Sequence, residues 1–202
     1  MSSGLISVGW EKSAPWPLKC GWLEPFLVTG TMRADPDRRD LGFCELSFEK
    51  RPELVSIVRR FVTDFYDRTL LDPDATSRVA LATHELLENA VKYSRDGRAK
   101  VRIQVSGRGE RVKVQIRTKN RASPEDAEHI RRTIDEMMSM DANVYYLSLM
   151  RKNAHRTDGS GLGLARIHAE AEMDMSVACR NGSVTVSAET EVLLAQRKEG
   201  AA

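Results

Sequence analysis

A carboxylate, a carboxamide and an ammonium recur at helical spacing in His84-Glu85-Leu86-Leu87-Glu88-Asn89-Ala90-Val91-Lys92-Tyr93. Glu85, Asn89 and Lys92 stand at i, i+4 and i+7 and so share one stripe of a helix. A carboxylate in such a stripe can take a proton, an amide oxygen can hold a hard cation, and an ammonium can meet phosphate charge. Beside it runs an apolar stripe, Val79, Ala82, Leu86, Ala90 and Tyr93, with the spacing of a helix packed on a core. The polar stripe therefore falls at the margin of the buried face, where a cavity can be lined without burying unpaired charge.

Further along lies Gly159-Ser160-Gly161-Leu162-Gly163-Leu164. Glycines let backbone N–H groups approach a phosphate closely, and the stretch from Leu162 to Ala171 reads as a helix whose N-terminal dipole favours an anion. A flexible loop or a plain helix start has the same letters, so the run carries weight only with the Glu85/Asn89 helix. Together the two segments read as a nucleotide site.

Stepping along the chain, Cys44, Leu46 and Phe48 alternate with Glu45 and Ser47, which predicts a half-buried strand over Leu41 to Phe48. A helix follows, with Pro52 near its start and Leu54, Val58, Phe61 and Phe65 as its stripe; Asp72-Pro73 caps and opens the helix that carries Glu85. Val101-Ile103-Val105 and Val112-Val114-Ile116 predict a hairpin turning through Gly107 to Glu110. A second hairpin is expected from Met173, Met175, Val177 and Cys179, a turn at Asn181-Gly182, and Val184, Val186 and Ala188. The order is that of an α/β two-layer sandwich, an antiparallel-rich mixed sheet covered on one face by helices.

Between the hairpin and the glycine run, Ser123 caps a predicted helix with Asp126 at its third position and Ile130, Ile134 and Met137 or Met138 continuing it. A shorter helix is expected from Val144 to Lys152. Arg151, Lys152, His155 and Arg156 cluster just before Gly159, as a solvated loop or as phosphate contacts.

In this order, Glu85-x-x-x-Asn89-Ala90 and Gly159-x-Gly161-Leu162-Gly163-Leu164 resemble the N box and second glycine box of the GHKL ATPases, the superfamily of gyrase, the Hsp90 chaperones, histidine kinases and MutL. The run from Pro52-Glu53-Leu54 through Phe61-Val62, Leu71-Asp72-Pro73 and Glu85-Leu86 resembles the stand-alone bacterial anti-sigma-factor kinases, and the likeness covers about residues 41–190. The resemblance implies a Bergerat-type ATP-binding fold with a lid at about 119–158. It implies ATP and magnesium as cofactors, with Asn89 holding the metal and Glu85 as the catalytic base. Phosphate contacts are implied for Lys92, Gly159, Ser160, Gly161, Leu162, Gly163 and Leu164, and an adenine or water contact for Thr185.

One departure stands out. Where the family has Asp-x-Gly-x-Gly after the second hairpin strand, this chain has Thr118-Lys119-Asn120-Arg121-Ala122-Ser123. No carboxylate is there to accept from the adenine amino group; Asn120 can replace it through its amide oxygen, or relax selectivity between adenine and guanine. Losing a charge-assisted acceptor weakens base recognition by about 1–3 kcal/mol if nothing compensates.

Two functions stay open on these residues. One is a serine/threonine protein kinase and anti-sigma-type regulator in a bacterial partner-switching pathway, with a STAS-domain antagonist or a sigma factor as partner. The other is a catalytically inactive ATP-site scaffold that sequesters a protein. A homodimer is compatible with either.

The 202 residues, 41% hydrophobic and 6% aromatic, suit one core of ordinary size. A formal net charge of +2 with interspersed acids and bases makes nucleic acid an unexpected partner. Cys20, Cys44 and Cys179 show no metal-ligand or disulfide pattern, and neither a leader nor a membrane-spanning run is evident, so a reduced cytoplasmic setting is expected. His84-Glu85 fails as a zinc-protease helix because Glu88 takes the second histidine's place. Residues 1–40, which hold all three tryptophans, read as an appendage, and residues 191–202 as a tail.

Overall fold

Alternation of apolar and polar residues predicts strands, and the computed structural model, which describes residues 39–153 and 162–193, has five of them. In chain order the elements are β1 (Arg39–Glu49), α1 (Pro52–Leu70), α2 (Pro73–Lys92), β2 (Arg98–Arg108), β3 (Arg111–Arg121), α3 (Pro124–Met138), α4 (Ala142–Asn153), α5 (Gly163–Ala169), β4 (Asp174–Arg180) and β5 (Ser183–Leu193). The sheet order is β1-β2-β3-β5-β4, and every neighbouring pair is antiparallel. The expected two-layer α/β architecture is therefore present, with its antiparallel character complete among the described strands.

Pleating divides each strand between two environments. Val101, Ile103, Val105, Val112, Val114 and Ile116 are fully buried under the helices, while Lys113, Gln115 and Arg117 between them are half-buried on the other face. The β4–β5 turn is Asn181-Gly182, both at positive φ (50° and 71°), as a two-residue type I′ hairpin requires.

α2 lies against the middle of this sheet, touching β2, β3 and β5, and α1 packs chiefly on α2. That explains a shift in the α1 stripe. Its most buried residues are Val58, Val62, Tyr66 and Leu70, an i, i+4 ridge facing a neighbouring helix, while Leu54, Phe61 and Phe65 are partly buried beside it. The Tyr66 hydroxyl, fully buried, lies 2.9 Å from Thr83 Oγ1, which itself donates to Val79 O at 2.7 Å. Since the single threonine proton is spent on that carbonyl, Tyr66 donates and Thr83 accepts, locking α1 to α2 without an orphaned polar atom.

Local signals decide where α2 begins. Asp72 Oδ1 accepts from Asp74 N at 2.9 Å and Ala75 N at 3.1 Å, and Pro73 is the first helical residue. Ser123 does the same for α3, its Oγ accepting from Asp126 N at 3.0 Å and donating to the Asp126 carboxylate at 2.7 Å. α4 begins before the expected Val144, because Asp141 accepts from Asn143 N and Val144 N. α5 is shorter than expected and ends at Ala169, ahead of the positive φ of Glu172.

The proposed boundaries shift slightly. β1 starts at Arg39 and β5 runs on to Leu193, while Lys119, Asn120 and Arg121 belong to β3, so the chain leaves the sheet only at Ala122. Most of the appendage and tail lie outside the described residues. No described helix is long and apolar enough to cross a membrane.

Replacing Asp72 by alanine removes two N–H acceptors at the start of α2 and is expected to cost about 1 kcal/mol. Urea denaturation should show a lower midpoint with an unchanged m value. Burial pushes the Cys44 thiol up to about 12, with Glu45 adding to the effect, whereas Cys179 is exposed. Iodoacetamide at pH 8 should therefore alkylate Cys179 in the native protein and spare Cys44 until it unfolds, as mass spectrometry of the peptides carrying Cys44 and Cys179 will show.

Candidate functional site

The apolar stripe of α2 settles where its polar stripe points. Val79, Ala82 and Leu86 are fully buried and Ala90 nearly so, which turns Glu85, Asn89 and Lys92 together toward a cavity of about 460 Å³. That volume lies within the range of small-molecule sites. α2 forms one wall, β3 and β5 contribute Thr118, Asn120, Val184 and Val186, α3 contributes Asp126, His129, Ile130 and Thr133, and α5 contributes Gly163, Leu164 and Arg166. Charged groups come from the helices, while the strands supply a buried surface of two valines, Thr118 and Asn120.

Asn120 enters through strand parity. β3 buries Val112, Val114, Ile116, Thr118 and Asn120 in alternation, so the residue in place of the family's aspartate continues the inward row. Its Nδ2 donates to Tyr93 O at 3.1 Å and to Arg121 O at 3.3 Å. With the amide nitrogen committed to two backbone carbonyls, Oδ1 is the atom left to accept from a ligand.

The same parity works against Thr185. Val184 and Val186 line the cavity, so Thr185 between them stands on the opposite face of the sheet, paired with Lys119 and Ala178. The structure does not bring Thr185 to the site. The threonine it does bring is Thr118, paired with Val186 across β3 and β5 and buried beside Asn120. Counting by twos from Asn120 would have found it.

Gly163 and Leu164 line the cavity and Leu162 caps α5; Gly159, Ser160 and Gly161 lie outside the described residues, as do His155 and Arg156. Arg151 and Lys152 are exposed at the end of α4 and do not line the cavity. Gly163 is there for want of room. A Cβ on it would collide with Glu85 Oε2 and touch Asn89 Nδ2, so this backbone approaches both α2 side chains as only glycine can.

Arg166 is the residue that sequence reasoning missed. Its Nη1 donates to Glu85 Oε1 at 2.8 Å, and its Nε to Glu170 Oε2 at 3.3 Å. Tyr146 of α4 donates its hydroxyl to Glu170 Oε1 at 2.8 Å. Burial opposes the charge on Arg166, but the Glu170 and Glu85 carboxylates outweigh it and hold the guanidinium above its ordinary pKa. The only available signal was a cation two residues beyond Leu164; its partner is 81 positions away.

Two histidines also line the cavity. His84 Nε2 lies 3.1 Å from Glu88 Oε1, and its Nδ1 is buried without a hydrogen-bond partner. His129 is exposed on α3.

For a magnesium ion the donor set fits in one way. Among the described residues no group of three or more His, Cys, Asp and Glu is placed to hold a metal. Asn89 offers one amide oxygen next to Glu85, and magnesium ordinarily completes such a shell with water and phosphate oxygens. The side chains present therefore suit a cation that arrives with a polyphosphate.

A family model described as "Histidine kinase-like ATPase domain" matches residues 48–188. Among solved structures, a chain of the SiaB–SiaC complex from Pseudomonas aeruginosa is similar in fold, with a TM-score of 0.51 and 17% identity over 70% of this chain and 85% of that one. No curated protein sequence matches.

Substituting Gly163 by alanine should push the Glu85 carboxylate off its position and break its contact with Arg166, at a cost under about 1 kcal/mol because the Cβ meets the far end of a flexible side chain. Urea denaturation checks the stability, and a crystal structure of the variant checks the displacement.

Proposed function

We propose, from the premise that the chain belongs to the histidine kinase-like ATPase domain family, that its cavity binds magnesium-ATP and that Glu85 serves phosphoryl transfer to a protein serine or threonine. The observation that carries this reading is the convergence of Glu85, Asn89 and Lys92 from α2 and Gly163 from α5 on a cavity that Asn120 and Thr118 line from the sheet. Anion-binding and proton-accepting groups thus stand at one side of a site, and Val184, Val186, Thr118 and the Asn120 amide at the other.

Bound magnesium-ATP supplies the γ-phosphoryl group and the charge balance for its departure. The chain's own residues do the rest. Asn89 would hold the metal, and Lys92, whose ammonium lies 5.2 Å from the centre of the Tyr93 ring, would meet phosphate charge. Glu85 takes the proton of the acceptor hydroxyl as its oxygen bonds to phosphorus and the diphosphate leaves. Asn120 Oδ1 would accept from the adenine amino group, and the start of α5 at Gly163 would lie beside the phosphates. α3 and α4 form the lid, which sheds water from the site.

The partner we infer is a protein of a bacterial partner-switching pathway, a STAS-domain antagonist or a sigma factor. Its support is the similar fold found in a two-protein assembly. A cytoplasmic location and a homodimer accord with that role.

The second reading, an ATP-binding scaffold without transfer activity, is favoured by one specific contact: Arg166 Nη1 already engages Glu85 Oε1 at 2.8 Å. The two readings part on a single assay. With radiolabelled ATP and a STAS-domain protein as acceptor, the kinase reading expects transfer that falls about 10²–10⁴-fold in Glu85→Gln. No transfer by wild type, with magnesium-dependent ATP binding intact, would leave the scaffold.

Base selectivity is a separate test. Because Asn120 presents an acceptor, ATP should bind about tenfold tighter than GTP, whose ring carbonyl would face that oxygen, and Asn120→Leu should erase the difference. Calorimetric titration with each nucleotide measures it.

A further inference from the structure

We propose that Arg166 is a phosphate ligand that exchanges partners: it holds Glu85 while the site lacks phosphate and turns to the phosphate oxygens of a bound nucleoside triphosphate, releasing Glu85 as a base. The inference rests on the nucleotide reading above and assigns a role to a side chain outside both sequence motifs.

Three observations carry it. First, Arg166 lines the cavity that holds Glu85 and Asn89, so a polyphosphate placed there meets its guanidinium. Second, its strong partner within the cavity is the one carboxylate that the chemistry needs unpaired, at 2.8 Å. A phosphate and a carboxylate compete for the same planar fork of donors, and phosphate brings the greater charge. Third, the fork has a fixed pivot. Nε is held by Glu170 one turn along at 3.3 Å, and Glu170 is itself oriented by the Tyr146 hydroxyl at 2.8 Å, so the far edge of the guanidinium can change partner while the near edge stays.

The exchange also answers the objection that Glu85 is blocked. A base paired with an arginine in the empty site becomes available when phosphate draws the arginine away. The link through Tyr146 brings α4 into the same network, since that helix supplies the group that orients the pivot.

A double-mutant cycle on ATP binding tests this without relying on turnover. Wild type, Glu85→Gln, Arg166→Met and the double variant are titrated calorimetrically with magnesium-ATP, with circular dichroism confirming that each is folded. Arg166→Gln serves as the second background should the methionine variant fail to fold. Removing the Glu85 charge frees Arg166, so Glu85→Gln should bind ATP about five- to tenfold tighter than wild type. Arg166→Met should bind about tenfold weaker. In the Arg166→Met background the gain from Glu85→Gln should vanish.

An equal gain in both backgrounds would mean that Glu85 merely repels phosphate, and would overturn the exchange while leaving the nucleotide site intact. Absence of any gain in the wild-type background would overturn it likewise. Failure of both wild type and Glu85→Gln to bind ATP would overturn the nucleotide reading together with the exchange.

Discussion

Burial of the α2 stripe against the middle of the sheet is the constraint from which the remaining geometry follows. Val79, Ala82 and Leu86 have no exposed surface, and such a helix cannot rotate about its axis without moving apolar area into water. Its orientation is thereby set, and with it the direction of Glu85 and Asn89. α1 adds a lock through Tyr66 and Thr83, and the Asp72 cap determines where the first turn begins. A polar stripe at the edge of that face can border a cavity because the neighbouring apolar stripe already anchors the helix.

Opposite charges then shape the site. Glu85 is mostly shielded from solvent, and a carboxylate in that position calls for a partner. Among the described residues Arg166 supplies it, while Gly163 lets the α5 backbone come close enough for the pair to form. The compactness of this corner therefore depends on a missing side chain as much as on an ion pair. α3 and α4 close the region from outside, α3 through buried Ile134 and Met137 and α4 through buried Tyr145.

The sheet imposes a second kind of discipline, parity. Register carries the inward row of β3 unbroken from Val112 to Asn120, and β5 matches it with Val184, Val186 and Ala188. A residue one place out of step faces the other way, which is why Thr118 and Asn120 reach the cavity and Thr185 does not. Thr118 to Arg121 thus continue the strand, and the chain turns at Ala122 and Ser123 into α3.

Much of this was legible in the letters. Strand alternation, the caps at Asp72 and Ser123, the Asn181-Gly182 turn and the helical spacing of Glu85 and Asn89 are local signals, because each depends on atoms within a turn or two of the chain. Element order and the two-layer architecture followed from them, and the family resemblance followed from two short motifs. The side facing a ligand, and the partner waiting there, were not local. The cavity that Thr118 and Asn120 line is bounded by β3, β5 and helices distant from them in sequence. The pairing of Glu85 with Arg166 depends on α5 docking against α2. Spacing determines what a helix or strand can present; only packing decides what it meets, because the energy of a contact belongs to atoms that the fold, not the chain order, brings together.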